Sequence, residues 1–109
     1  MRIILEQAAD IDWEMDVAWV TRAGNNPVPW VREFASRITA VHVKDIAPAG
    51  ENTDEDGWAD IGFGSMDWKT LMAQIKQETK ATLFVAEHDN PSDHFRFATR
   101  SIEKLNSFA

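Results

Sequence analysis

The sequence predicts an α/β fold with parallel strands, and two observations carry that expectation. Strand-like runs near residues 12–17, 38–44 and 81–87 alternate with amphipathic helical runs, in the order helix, strand, helix, strand, helix, strand, helix. That alternation is the mark of βαβ units. Each strand-like run also finishes in ionisable groups at its C-terminal end, where parallel α/β folds gather their sites.

The opening stretch MRIILEQAA reads as the tail of a helix whose beginning is missing. In DIDWEMDVAWV, Asp12, Glu14 and Asp16 share one parity and Ile11, Trp13, Met15 and Val17 the other. Such period-two alternation argues a strand. RAGNNP is a breaker, and PVPWVREFASR is a helix with prolines tolerated near its start and Val28, Val31, Phe34 and Ala35 on one face. ITAVHVK, residues 38–44, is β-branched and reads as the second strand.

An acidic stretch, DIAPAGENTDEDGWADIGFGS, follows. At about 20 residues it exceeds the usual connection, and such loops tend to be functional or mobile. Its acidic run ENTDEDGWAD lacks the spacing of a calcium loop and reads as solvated. GFG at 62–64 lacks the third glycine and the preceding strand of a dinucleotide fingerprint, so it reads as a tight turn before a helix. MDWKTLMAQIKQETK is that helix, capped by Ser65 or Asp67. ATLFVAE, residues 81–87, is the third strand, and HDNPSD a turn. The last helix places Phe95, Ala98, Ile102 and Leu105 on one face.

Composition narrows the functions. The chain has 109 residues, with 18 acidic against 11 basic side chains and a net charge of -7. That balance argues against partners built on nucleic-acid phosphates or anionic membranes. No apolar run approaches the roughly 20 residues of a membrane span, and the start does not read as a signal peptide. With no cysteine, disulfides and thiolate metal sites are excluded. A soluble, cytoplasmic protein is expected. Five tryptophans and six phenylalanines suit a globular core.

Parity places the chemistry. Ile38, Ala40, His42 and Lys44 share one face of the second strand, Val41 and Val43 the other; Leu83, Val85 and Glu87 share a face of the third. If these faces line one barrel interior, Asp16, His42 and Glu87 converge. One imidazole and two carboxylates suit a divalent ion such as Mn²⁺, Mg²⁺, Co²⁺ or Zn²⁺. Plainer readings stand beside this one. Asp16 also suits a helix cap or turn, and His42 a buried, hydrogen-bonded histidine. Glu87 suits an ion pair with Lys44, which itself pairs with an acid more readily than with substrate. His88 and His94 read as surface or cap residues.

Taken in order, DVAWVTRAGNNPVPWVREFASRITAVHVKD, DIGFGSMDWKTLM, LFVAEHDNPSD and RSIEKL resemble the C-terminal part of the sugar phosphate isomerase/epimerase family, the xylose-isomerase-like TIM barrels. The resemblance spans roughly residues 5–106 and implies that 1–109 is the C-terminal part of such a barrel, about three βα units of a (β/α)8 fold. It implies metal ligands at Asp16, His42 and Glu87 on the sixth, seventh and eighth strands, with Glu87 also the catalytic acid/base. Lys44 faces the same mouth. Where many epimerase members carry a histidine three residues after the aspartate, this chain has Trp19, so substrate contact there differs.

The implied activity is isomerisation or epimerisation of a small sugar or sugar phosphate by proton transfer through an enediolate. An inosose-dehydratase-like lyase on the same scaffold, or a non-catalytic half-barrel that only assembles, are the alternatives. An endonuclease for abasic DNA shares the superfold, but the acidic charge counts against it. A complete barrel takes about 250 residues. Three strands would leave two open edges, with Ile38, Ala40, Leu83 and Val85 exposed on the inner face. The expectation is self-association or pairing with the missing barrel half.

Overall fold

The computed structural model describes residues 1–108. The elements run α1 (Arg2–Gln7), β1 (Trp13–Asp16), α2 (Val17–Arg22), α3 (Pro27–Glu33), β2 (Ile38–Val43), β3 (Asp45–Ile46), a 3₁₀ turn (Thr53–Glu55), β4 (Trp58–Ala59), α4 (Trp68–Glu78), β5 (Leu83–Ala86) and α5 (His94–Ser107). β1, β2 and β5 form a parallel sheet in the order β1-β2-β5, and β3 and β4 a small antiparallel hairpin. The expected α/β architecture with parallel strands is what the chain adopts.

Register decides which side chains meet. Glu14 lies opposite Ala40 and Ala40 opposite Leu83; Asp16 lies opposite His42 and His42 opposite Val85. Registered residues in parallel neighbours share a face, so one face carries Glu14, Asp16, His42 and the C-terminal acids. The other carries Met15, Val41 and Val43, each fully buried in the core with Val31, Phe34, Leu71, Met72 and Ile75. Each such side chain contributes about 1.5–3 kcal/mol on burial.

The helices follow local chemistry. The Asp67 side chain caps α4 by accepting the Thr70 N–H at 3.2 Å, and Trp68, Leu71, Met72 and Ile75 form its buried stripe. Asn26 caps α3, with Pro27 at its first position. Asp93 caps α5. Arg37 clamps the N-terminal segment by donating to the carbonyls of Leu5 and Ile11 at 2.9 and 2.8 Å.

Several expectations need correction. The alternation beginning at residue 12 does not continue as a strand: β1 stops at Asp16, and residues 17–22 are helical, with Val17 and Ala18 buried by it. The Asp16 side chain ends the strand by accepting the Trp19 N–H at 3.0 Å. Ile38 is buried, because a register shift between Trp13 and Glu14 sets Trp13 opposite it and both join the core. Leu83 is exposed as expected. On α5 the expected apolar face is turned outward at Phe95, Ala98 and Ile102; the residues that pack are Phe97, Ser101, Leu105 and Phe108.

The acidic run is solvated only in part: Glu51, Asp54 and Asp56 are exposed, as expected. Glu55, Trp58, Ala59 and Asp60 are buried. Arg96 is the reason: it donates to Glu55 Oε1 at 2.6 Å and to Asp60 Oδ2 at 2.8 Å. Hydrogen bonds to Asp60 and Glu55 hold its guanidinium above its ordinary range. The Ser92 N–H, acting against burial and helped by Arg96, lowers the Glu55 carboxyl below its ordinary range.

The turn at 62–66 is held from within. Asp45, wholly buried, accepts N–H groups of Ile46, Gly62, Gly64 and Met66 at 2.9–3.2 Å. Burial pushes its carboxyl upward, and the four donors pull it back only in part. A side chain at Gly64 would collide with the Asp45 carboxylate and the Ile46 carbonyl. Gly64→Ala is therefore expected to lower stability by about 1–3 kcal/mol, read from the urea midpoint. An unchanged midpoint would show that the turn can open at no cost.

Candidate metal centre

Three strand ends build the cluster. β1 closes on Asp16, whose Oδ1 is spent on the cap of α2 while Oδ2 faces the neighbouring strand. β2 brings His42, and Lys44 stands one residue beyond it. Beyond β5 come Glu87, whose N–H still donates to the Val43 carbonyl at 3.0 Å, and Asp89.

His42 Nδ1 lies 2.7 Å from Glu87 Oε2 and 3.6 Å from Asp16 Oδ2. Its other nitrogen, Nε2, lies 2.9 Å from Glu14 Oε1. One ligand atom from each of Asp16, His42 and Glu87 falls within 4.8 Å of the others. A carboxylate on the far nitrogen of a histidine fixes its ring and tautomer, the usual outer support of a metal-binding imidazole.

Lys44 runs beneath this group with only 2 % of its side chain exposed. Its Nζ lies 3.1 Å from Asp16 Oδ2, 3.1 Å from Glu87 Oε2 and 2.8 Å from Asp89 Oδ1. Burial disfavours the ammonium, but the carboxylates of Asp89, Asp16 and Glu87 outweigh it and hold the group above its ordinary range. The rings of Trp58 and Trp19 lie 4.9 and 5.7 Å from Nζ. Three carboxylates meet this one ammonium, and Glu14 adds a fourth to the cluster through His42, which leaves a negative excess.

Glu87 Oε2 tests whether a cation fits. It is buried and has no hydrogen-bond partner among the described residues, although His42 Nδ1 and Lys44 Nζ lie close by. Lys44 Nζ meets it as an ion pair. An orphaned anionic oxygen beside an imidazole nitrogen and a second carboxylate is a donor set that a divalent cation satisfies.

Asp16, His42, Lys44 and Glu87 are thus brought together. Both readings of Asp16 are realised at once, cap through one oxygen and cluster through the other. Trp19 stands at the rim, half-exposed and edge-on to Trp58 at 5.1 Å. Glu14 and Asp89 were missed as members. Glu14 shares the parity of Asp16, and Asp89 lies two residues past Glu87, so the same period-two count reaches both.

His88 needs correction. It is buried rather than at the surface, with Nδ1 accepting the Asn90 N–H at 3.1 Å and its ring edge-on to Phe97 at 5.5 Å. Burial lowers its pKa against the pull of Glu55 and Asp60. It anchors the segment that carries Asp89. His94, at the start of α5, is exposed as expected.

Fold and site together define a class: a parallel βα arc with an acid–imidazole cluster at its strand C-termini. No family model and no curated protein matches the sequence. Solved structures do. One, a sugar phosphate isomerase/epimerase from Parabacteroides distasonis, superposes with a TM-score of 0.67 at 18 % identity, over 89 % of this chain and 31 % of its own. A second protein so named from the same organism gives 0.65 at 22 % identity, over 87 % and 30 %. At these identities the likeness is one of fold, and it bears out the partial (β/α)8 barrel. The chain spans about a third of the length of these proteins.

Lys44→Met would leave Asp16, Glu87 and Asp89 without their shared cation. The expected loss of stability is about 3 kcal/mol, at the lower end of the range for breaking buried pairs because the partners are partly exposed. Thermal or urea unfolding measures it. A loss within about 0.5 kcal/mol, the level of ordinary surface changes, would show that the acids do not depend on Lys44.

Proposed function

We propose that the chain is the metal-holding, C-terminal part of a sugar or sugar-phosphate isomerase or epimerase, an enzyme of carbohydrate metabolism. The observation that carries this reading is the convergence of Asp16, His42 and Glu87 from three strand ends onto one orphaned oxygen. The names of the two structural neighbours support it. A cytoplasmic setting agrees with a chain that has no cysteine.

Asp16, His42 and Glu87 would hold the ion, Mn²⁺, Mg²⁺, Co²⁺ or Zn²⁺. When bound, it supplies Lewis-acid polarisation of a sugar carbonyl or hydroxyl. Glu14 orients the His42 ring through its far nitrogen. Lys44 keeps Asp16 and Glu87 in place as anions, and its position at the mouth makes it the nearest cation to a bound sugar. Trp19 offers the sugar an indole face at the rim.

Glu87 is the acid/base. Its carboxylate takes the proton from the carbon beside the carbonyl, giving an enediolate, and returns it to the former carbonyl carbon, while the hydroxyl proton passes from the second oxygen to the first, which completes isomerisation. Epimerisation needs a second base on the opposite face of the sugar, outside this cluster. The open outer edges of β1 and β5, with Leu83, Phe95 and Ile102 exposed, would receive complementary barrel strands or a second copy.

Calorimetric titration of Mn²⁺ is expected to show saturable binding that His42→Ala and Glu87→Ala each weaken about tenfold or more. A folded chain with no saturable binding would remove the metal site from this reading. In sedimentation, the 12.3 kDa chain is expected to associate as concentration rises. A stable, folded monomer throughout would contradict the role given to the open edges.

A further inference from the structure

We propose that α5 and the long loop packed beside it form a self-complementary face, through which two copies of the chain dock about a two-fold axis. This contact is separate from the metal centre and from the open sheet edges. Arg96, Arg100 and Lys104 recur every fourth residue and so form one row along α5. Phe95 and Ile102, seven residues apart, share a different side of the helix. Two adjoining hollows flank the basic row. One, of about 200 Å³, runs from Asn52 in the long loop to Phe63 and Arg100; the other, of about 210 Å³, runs from Phe63 and Arg100 to Lys104 and Ser107. Phe63 and Arg100 therefore stand in the middle, with the acidic run at one end and Lys104 at the other.

The middle has the character of an interface anchor. Phe63 is 49 % exposed, with the Arg100 guanidinium 4.5 Å and Lys104 Nζ 5.7 Å from its ring. Aromatic and arginine side chains are the ones that dominate binding at interface centres. Arg96 is spent on Glu55 and Asp60. Arg100 reaches Asp60 only at 3.5 Å, and that carboxylate is already held by Arg96. Glu103 lines the second hollow, so Arg100 and Lys104 together face one local acid.

The answering charges lie at the other end of the same face. Glu51 and Asp54 are exposed on either side of Asn52. The backbone that carries them is fixed: Asn52 donates to the Trp58 carbonyl at 3.0 Å, Asn90 to the Asp54 carbonyl at 3.3 Å and Arg22 to the Asp56 carbonyl at 2.8 Å. Acids held in place beforehand lose little freedom on docking. A face with cations at one end, acids at the other and an aromatic between them matches itself after a half-turn. The acidic run of each copy then meets Arg100 and Lys104 of the other, and the two Phe63 rings meet near the axis. With a net charge of -7, two copies repel in most orientations, so a face where opposite charges meet is selected.

Sedimentation equilibrium tests this with two charge-reversed chains, one carrying Arg100→Glu and Lys104→Glu, the other Glu51→Lys and Asp54→Lys. Each alone is expected to associate at least about tenfold more weakly than the parent. Mixed in equal amounts, they are expected to associate within about threefold of the parent, because opposite charges then meet in both halves of the two-fold contact. Phe63→Ala is expected to weaken association about tenfold. Circular dichroism of each variant confirms that it is folded. Leu83→Lys, at the open edge of β5, separates this contact from edge pairing. Association that Leu83→Lys abolishes and both charge reversals leave unchanged would overturn the α5 face and keep the edges. Folded charge-reversed chains that fail to associate when mixed, or a parent chain that stays monomeric, would also overturn it.

Discussion

A single buried ammonium organises this molecule. Lys44 stands just past the central strand with almost no exposure, and a lone charge there would be costly. Acids from both neighbouring strands meet it: Asp16 from the end of β1, Glu87 and Asp89 from beyond β5. The three strand ends are thereby drawn to one point, and His42 is caught between the same carboxylates. The backbone of Lys44 is held as firmly, since the Trp68 indole N–H donates to its carbonyl at 2.9 Å. The first residue of α4 is thus fastened to the residue that gathers the site.

Support spreads outward from that point through buried polar groups, most of them paired within the fold. Asp45, next in sequence, gathers four backbone N–H groups and so shapes the turn that leads into α4. Arg96 binds Glu55 and Asp60, which pins the long loop to the start of α5. His88 packs behind the segment that carries Asp89. Two acids of this loop can be buried here because their charges pair with Arg96 within the fold. The rim of the site is consequently as well built as its floor.

The sheet itself is unfinished at both sides. β1 and β5 each pair on one edge only, and Leu83, Phe95 and Ile102 lie exposed along the β5 side, with Ile3, Ile4 and Ile11 exposed near the β1 side. In the structures that share this fold, the matching region is about a third of a longer chain. Apolar surface of this kind is what the proposed pairing with further barrel strands or a second copy would cover. The outward turn of Phe95 and Ile102 on α5 leaves a further apolar face open beside this edge.

The sequence by itself determined the local geometry, because period and capping act over a few residues. The β-branched run at 38–44 marked β2, Ser65 or Asp67 marked the start of α4, and period-two parity set His42 with Lys44 on one face of its strand and Glu87 with Val85 on one face of the next, while register across strands brought Asp16 to them. Parity extended by one more step also reaches Glu14 and Asp89. Only the tertiary structure decided the rest. Val17 continues the alternation of β1 yet opens α2, because the Asp16 cap and the burial of Val17 and Ala18 outweigh pattern. Glu55 and Asp60 of the 51–60 run are buried because Arg96, some forty residues away, comes to meet them. A charge's fate depends on its partners in space, and those partners are set by register and packing rather than by neighbours along the chain.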